Sequence, residues 1–317
     1  MMAHDDVRYI HGPLISTEDP LAHIELLRIF GMTTVGDLHR DADSCSRLWG
    51  TRGCEVREVM LNTPGTPYGA RLLVFDPGSR KLVRDPNRGF DADAPKVVDF
   101  YVPDLEAACA RVEAAGWCIR EPVAAYELPE GRFQEAHIWG PDHVVYALIT
   151  GPAAFFARFA TITDRVFSEP QSLSGPVSQL EPSVRFFEEG LGLQTVYRYG
   201  IADDSFRRLV GAKRPQFSLR AVNVGLTTQQ PYIALIDYGL PAGSAASLQG
   251  DARPPHRGLL GATVVAEGLT AMLQRLQRAG GQIVAPAYHA DIPGLGRCLA
   301  AGVSAPNGGW YQLLQVA

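Results

Sequence analysis

Val97-Val98-Asp99-Phe100-Tyr101-Val102 leads through Pro103 into Asp104-Leu105-Glu106-Ala107-Ala108 and on to Ala114-Ala115-Gly116. The opening six residues carry the β-branched and aromatic side chains of a strand. The next segment places Leu105, Ala108, Val112 and Ala115 on one apolar face at helical spacing, and Gly116 is the usual stop. The pattern recurs late in the chain. Leu260-Gly261-Ala262-Thr263-Val264-Val265 precedes Gly268-Leu269-Thr270-Ala271-Met272, with Leu269, Met272, Leu273 and Leu276 on one face and a stop at Arg278-Ala279-Gly280. In both copies the glycine stands twelve residues after the residue that opens the helix. A strand-helix unit repeated at one spacing directs a search for further copies.

Two more copies open with proline and close with glycine, the asymmetry expected of helix ends. Asp19-Pro20-Leu21-Ala22-His23-Ile24 leads to Phe30-Gly31-Met32, and Glu181-Pro182-Ser183-Val184-Arg185-Phe186-Phe187 leads to Leu191-Gly192-Leu193. Similar text follows each: Ser46-Arg47-Leu48-Trp49-Gly50 against Arg207-Arg208-Leu209-Val210-Gly211, then strands at Val56–Leu61 and Ser218–Asn223, and last strands at Ala70–Phe75 and Tyr232–Ile236. The order is A, B, A-like, B-like, each unit being one strand, one helix and about three strands. Gly78 to Lys96 and Leu240 to Arg257 are rich in Pro, Gly and small or polar residues and read as surface linkers. Ala153 to Gln171 bridges the halves, and its Phe155, Phe156 and Phe159 predict that it packs. A module this small cannot bury both faces of its sheet, so modules pair, one face on the helices and the other around a cavity.

The chain has 317 residues, which at about 150 per domain predicts two domains, placed by chain order at 1–152 and 153–317. Hydrophobic residues at 46% and charged residues at 20% exclude wholesale disorder. A net charge of -5 argues against a nucleic-acid partner, which calls for a basic face. No apolar run is long enough for a membrane helix, and Met1–Asp6 lacks the basic head and apolar segment of a signal peptide. The five cysteines are odd in number and form no CxxC, so a cytoplasmic location is expected. Cys54, Cys109 and Cys118 read as small core residues.

Four such modules resemble the vicinal oxygen chelate superfamily, which includes glyoxalase I, methylmalonyl-CoA epimerase, extradiol dioxygenases and the bleomycin- and fosfomycin-resistance proteins. The resemblance covers about Tyr9 to Val316 and rests on Leu180–Leu193, Val102–Glu106, Gly140-Pro141-Asp142 and Ala305-Pro306-Asn307-Gly308-Gly309. It implies an α+β fold of four βαβββ modules paired into two glyoxalase-like domains. It also implies a divalent metal in each cavity, held by His, Gln or Glu from the first and last strands. Counting seven residues back from each helix start gives His11 (Ile10 in another alignment), Val97, Ser172 and Gly261. The last strands offer Arg71, Ala147 and Gln312, with Asp237 at a strand end. No cavity keeps the usual ligand set. The cofactor is therefore none, or a divalent Fe, Mn, Zn or Ni with His11 and Asp99 as its ligands.

By strand alternation, His11, Val97, Asp99 and Tyr101 face the first cavity. His11 and Asp99 then form an acid/base pair, with Tyr101 assisting. The alternative for His11 is a bond to backbone or water without a role in chemistry. An acid in an apolar strand needs a partner, so Asp99 binds either ligand or an arginine or amides. Ser172, Ser174, Thr263, Trp310 and Gln312 line the second cavity, a set suited to an apolar or aromatic ligand with a few oxygens. His137 and His143 read as loop residues, and His256 and His289 as loop residues able to close over a cavity. The resemblance implies a lyase- or isomerase-type enzyme acting on a small oxygen-bearing, aromatic or apolar molecule. The alternatives are a non-catalytic small-molecule binding protein of the antibiotic-resistance kind and a metal-dependent extradiol-type dioxygenase. A monomer and a homodimer both fit a duplicated chain.

Overall fold

A computed structural model describes residues 6–84, 92–214, 216–240, 246–248 and 250–317. Module one runs β1 (Val7–Ser16), α1 (Pro20–Ile29), β2 (Thr33–Arg40), α2 (Ala42–Trp49), β3 (Glu55–Asn62) and β4 (Gly69–Asp76). After a short β5 (Ala92–Asp93), module two runs β6 (Val97–Tyr101), α3 (Leu105–Ala114), β7 (Ile119–Leu128), β8 (Gly131–Trp139) and β9 (Val145–Thr150). The connector helix α4 (Ala153–Phe159) precedes module three: β10 (Pro170–Pro176), α5 (Leu180–Arg185), β11 (Gln194–Ile201), α6 (Asp204–Leu209), β12 (Leu219–Gly225) and β13 (Tyr232–Asp237). A short β14 (Ala246–Ser247) leads to module four: β15 (Gly258–Ala266), α7 (Leu269–Arg278), β16 (Gln282–Ile292), β17 (Gly296–Ser304) and β18 (Trp310–Val316).

The helix starts follow from local chemistry. The Asp19 and Asp104 side chains accept from the Ala22 and Ala107 amides at 3.0 Å each, capping donors that have no partner within the helix. Pro20 at the first turn costs no hydrogen bond. Gly268 caps α7 without a side-chain bond.

The four modules pair into two eight-stranded sheets, each curled into a cup. The first sheet runs β16-β17-β18-β15-β1-β4-β3-β2 and the second β11-β12-β13-β10-β6-β9-β8-β7. At each centre two first strands run antiparallel, β1 with β15 and β10 with β6, and each lies parallel to the last strand of its own module. Module one therefore pairs with module four, and module two with module three. This corrects the grouping expected from chain order: both sheets draw on residues from either side of 152. A seam forms because each first strand has one edge free after pairing with its own last strand.

One core, built from Leu26, Leu27, Phe30, Val112, Phe187, Met272 and Leu276, gathers the helices of all four modules. The two cup interiors form separate clusters. The connector packs as expected, with Phe155, Phe156 and Phe159 buried. The linkers depart from expectation where they are described; 85–91, 241–245 and 249 lie outside the described residues. Val83, Ala92, Asp93 and Ala94 are buried. β5 pairs with β14, and Asp93 accepts from Ser178 Oγ at 2.6 Å and from the Leu248 amide at 2.8 Å. The two linkers thus pin each other. Of the cysteines expected in the core, Cys54 is buried, Cys109 half-buried and Cys118 exposed at a helix-to-strand turn.

Candidate functional site

Cup two, made by modules two and three, sets the acid Asp99 in a ring of tyrosines, with a second buried acid, Glu135, nearby. Asp99 stands at the middle of β6, opposite Ser172 on β10 and beside Ala147 on β9. Ser172 Oγ donates to Asp99 Oδ2, and Ser174 Oγ lies 3.5 Å from Oδ1. The acid is 6% exposed. Burial, and then the neighbouring Glu135 carboxylate, push its pKa up to about 7, while the two serines pull it down. Tyr101 and Tyr232 meet hydroxyl to hydroxyl at 2.5 Å, and Tyr126 donates to Glu135 at 3.1 Å. Glu135 also pairs with His137 Nε2 at 2.7 Å. Burial holds the hydroxyls of Tyr101, Tyr126 and Tyr199 well above the ordinary phenol value, so they stay protonated.

The cavity over Asp99 has a free volume of about 40 Å³ and is walled by Tyr101, Tyr126, Phe133, Phe155, Tyr197, Tyr199 and Tyr232. The Asn223 Oδ1, also on the lining, is buried without a partner among the described residues. A wider pocket of about 200 Å³ adjoins it, and Tyr101 lines both.

Cup one, made by modules one and four, is filled instead. The register places Arg71 and Gln312 on the last strands where Ala147 and Ala234 stand in cup two. Alanine leaves the floor open; arginine and glutamine occupy it. Arg71 Nη1 donates to Gln312 Oε1 and lies 3.5 Å from Thr263 Oγ1, and Nη2 donates to Glu58 at 2.9 Å. Glu58 accepts from Arg40 Nε at 2.6 Å and Trp49 Nε1 at 2.9 Å. Arg71 lies over the Trp49 ring at 5.5 Å, and Trp49 packs on Trp310 at 5.3 Å. Burial weakens the hold of Arg71 on its proton and Glu58 strengthens it.

The expected site is therefore redistributed. Asp99, Tyr101, Ser172 and Ser174 come together in cup two. Thr263, Trp310 and Gln312 belong to cup one, where Thr263 and Gln312 are spent on Arg71 and do not line a cavity with Ser172 and Ser174. His11 lies on β1 in the other sheet from Asp99, so the expected acid/base pair does not form. Its Nδ1 donates to the Pro67 carbonyl at 2.8 Å, its Nε2 has no partner among the described residues, and burial lowers its pKa to about 4. The backbone-bonded alternative is the one realised. His137, expected in a loop, is buried on β8, and His289 lies on β16. Glu135, Tyr126, Tyr199, Tyr232 and Asn223 were not singled out in the sequence. Alternation along Tyr197-Arg198-Tyr199 and Phe133-Gln134-Glu135 carried a signal, but only the pairing of modules two and three brings these strands around Asp99.

The residues do not fit the divalent metal that the resemblance implies. In cup one a guanidinium stands among the donors, both Glu58 oxygens are taken, and position 261 is glycine, where a Cβ would fall 2.1 Å from the Trp310 carbonyl oxygen. In cup two the last strands present Ala147 and Ala234. No three His, Cys, Asp or Glu side chains converge as a metal group among the described residues.

No family model and no curated protein matches the sequence. Solved structures do. Glyoxalase I from Zea mays is 16% identical with a TM-score of 0.60, over 97% of this chain and 92% of that one. A protein from Bacillus subtilis described as a dioxygenase is 12% identical with a TM-score of 0.58, over 99% of this chain and 86% of that one. The chain thus has the vicinal oxygen chelate fold as two fused glyoxalase-like domains. At such identities the likeness reaches the fold and not the activity. No helix among the described residues is long and apolar enough to cross a membrane.

Proposed function

We propose that cup two is a metal-independent acid/base site for a small, uncharged organic molecule bearing a carbonyl oxygen on an aromatic or apolar skeleton. The observation that carries this reading is the position of Asp99, a buried acid at the floor of an aromatic cavity, where burial and then Glu135 push its pKa up to about 7. Such a group is matched to proton transfer at neutral pH. Its carboxylate takes a proton from the carbon next to the carbonyl, the C–H electron pair becomes a C=C bond, and the carbonyl π pair moves onto the oxygen. The Tyr101–Tyr232 hydroxyl pair is the donor set for that oxygen. Return of the proton to another carbon is an isomerisation; departure of a β-substituent is a lyase reaction. The free volume of about 40 Å³ is below the roughly 150 Å³ that one benzene ring needs, so a ligand of this class enters by displacing the wall formed by Tyr101 toward the adjoining pocket.

The test is deuterium exchange at the α-carbon of small aryl ketones in D₂O, followed by NMR. Exchange catalysed by the protein, rising with pH through about 7 and lost in Asp99→Asn, is the expected result. No catalysed exchange across such a panel overturns the catalytic reading. A second reading, binding without turnover, is favoured by the seven aromatic rings around one acid. It predicts a small molecule retained through purification and visible by native mass spectrometry.

A further inference from the structure

Cup one is closed to ligand in its interior, yet its mouth is open. A groove of about 740 Å³ lies over Trp49 and Trp310, bounded by Thr51, Arg52, Arg253 and His256. We propose that this groove is a second ligand site, separate from cup two, that takes an organic anion carried on a flat apolar body.

Three observations converge on that chemistry. The charged side chains on the lining are Arg52 and Arg253, with no carboxylate among the lining residues. Neither guanidinium has a hydrogen-bond or ion-pair partner among the described residues, whereas Arg40, Arg57 and Arg71 are all paired. A free guanidinium fork is the side chain best shaped for a carboxylate or phosphate. Below the floor, Arg40 and Arg71 share the single carboxylate of Glu58, so the buried cluster keeps an uncompensated positive charge under the groove. In a chain of net charge -5, this is a locally positive cleft with low-dielectric walls, which concentrates anions.

The floor sets the second requirement. Trp49 and Trp310 line the groove but are only 2% exposed, with Arg71 over the Trp49 face and the two indoles packed together, so they offer the groove ring edges, against which a flat aromatic body packs edge to face. His256 donates Nδ1–H to the Asp251 carbonyl at 2.8 Å, and burial lowers its pKa. Its ring is therefore neutral and presents Nε2 as an acceptor. The ligand class is thus an anionic group attached to a ring system, with a hydroxyl or N–H for His256 as an option.

The probes are 1-naphthoate and its uncharged counterpart 1-naphthamide, titrated into the whole chain and read by tryptophan fluorescence and calorimetry. The expected result is saturable naphthoate binding at least tenfold tighter than the amide and weakened by salt. Arg52→Gln with Arg253→Gln lowers naphthoate affinity at least tenfold with an unchanged melting temperature, while Asp99→Asn leaves it unchanged. The proposal is overturned by absence of saturable naphthoate binding, by equal affinity for both probes, or by indifference to the double arginine variant. Loss of binding in Asp99→Asn overturns it as well, because the probe then sits in cup two.

Discussion

Ser172 and Asp99 are direct partners across the antiparallel seam that joins module three to module two, and the serine hydroxyl donates to the carboxylate. The acid and the group that orients it thus come from different halves of the chain. Each module alone would hold half a site.

Asp99→Asn is expected to lower any cup-two activity about a thousandfold, a typical loss when a general base is removed. It is also expected to change the pH profile of stability. The folded pKa of about 7 lies above the ordinary carboxylate value, so the folded state binds the proton more tightly. Stability tied to Asp99 is full below about pH 4 and lost as pH rises through about 7. The asparagine variant lacks that loss and is more stable than the parent at pH 8 in urea unfolding. A parent and variant with parallel profiles from pH 4 to 8 would contradict the buried-acid assignment.

His11 acts in the opposite sense. Its folded pKa of about 4 lies below the ordinary imidazole value. Its contribution is full above about pH 6.5 and lost as pH falls through about 4. His11→Gln should flatten the acid limb of the stability profile and leave cup-two activity within about twofold. Both groups titrate over one window with opposed signs, so single variants separate what the parent protein averages.

Glu58→Gln removes the carboxylate between two buried guanidinium groups. A buried ion pair broken from one side typically costs about 3–5 kcal/mol, and here two cations lose their partner. Equilibrium denaturation should show a loss in that range. Glu58→Gln combined with Arg71→Met should recover part of it, since the second change removes one unpaired charge.

Tyr232→Phe deletes one hydroxyl of the Tyr101–Tyr232 pair and keeps the ring. We expect a ten- to hundredfold fall in turnover with little change in melting temperature. Chelation is expected to leave that turnover unchanged, and elemental analysis of protein purified without added metal to find no stoichiometric Fe, Mn, Zn or Ni.

The modules were legible because their signals are local. The stop at Gly116 and the proline starts at Pro20 and Pro182 need only neighbours in the chain, whereas the second short helices, ending at Trp49 and Leu209, showed in the sequence only as similar text before the strands. Asp99 stood out because an acid in Val97–Tyr101 demands an explanation wherever the strand lies. The pairing of modules was not legible. β1 and β6 both present apolar first strands with a free edge, and nothing within β1 distinguishes β15 from β6 as its partner. Every error at the site follows from that one choice: His11 was placed with Asp99, and Thr263, Trp310 and Gln312 with Ser172. Arg71 read as a lost ligand because its partner Glu58 sits on the adjacent strand, and only register makes them neighbours.

The nested order of the sheets also bears on how the chain reaches its native state. The second sheet is complete once β13 has been made, at Asp237. Strand β1, made well before its partner, cannot form its seam until β15 emerges, and its sheet is finished only by β18 at Val316. On the ribosome the inner pair can therefore fold first as a unit, while the outer pair closes late and over a long loop, the slow kind of contact. Its apolar edge is exposed throughout that wait, so a circular permutant opened between β13 and β15, which makes module four first and joins it directly to module one, should refold faster and aggregate less than the parent chain.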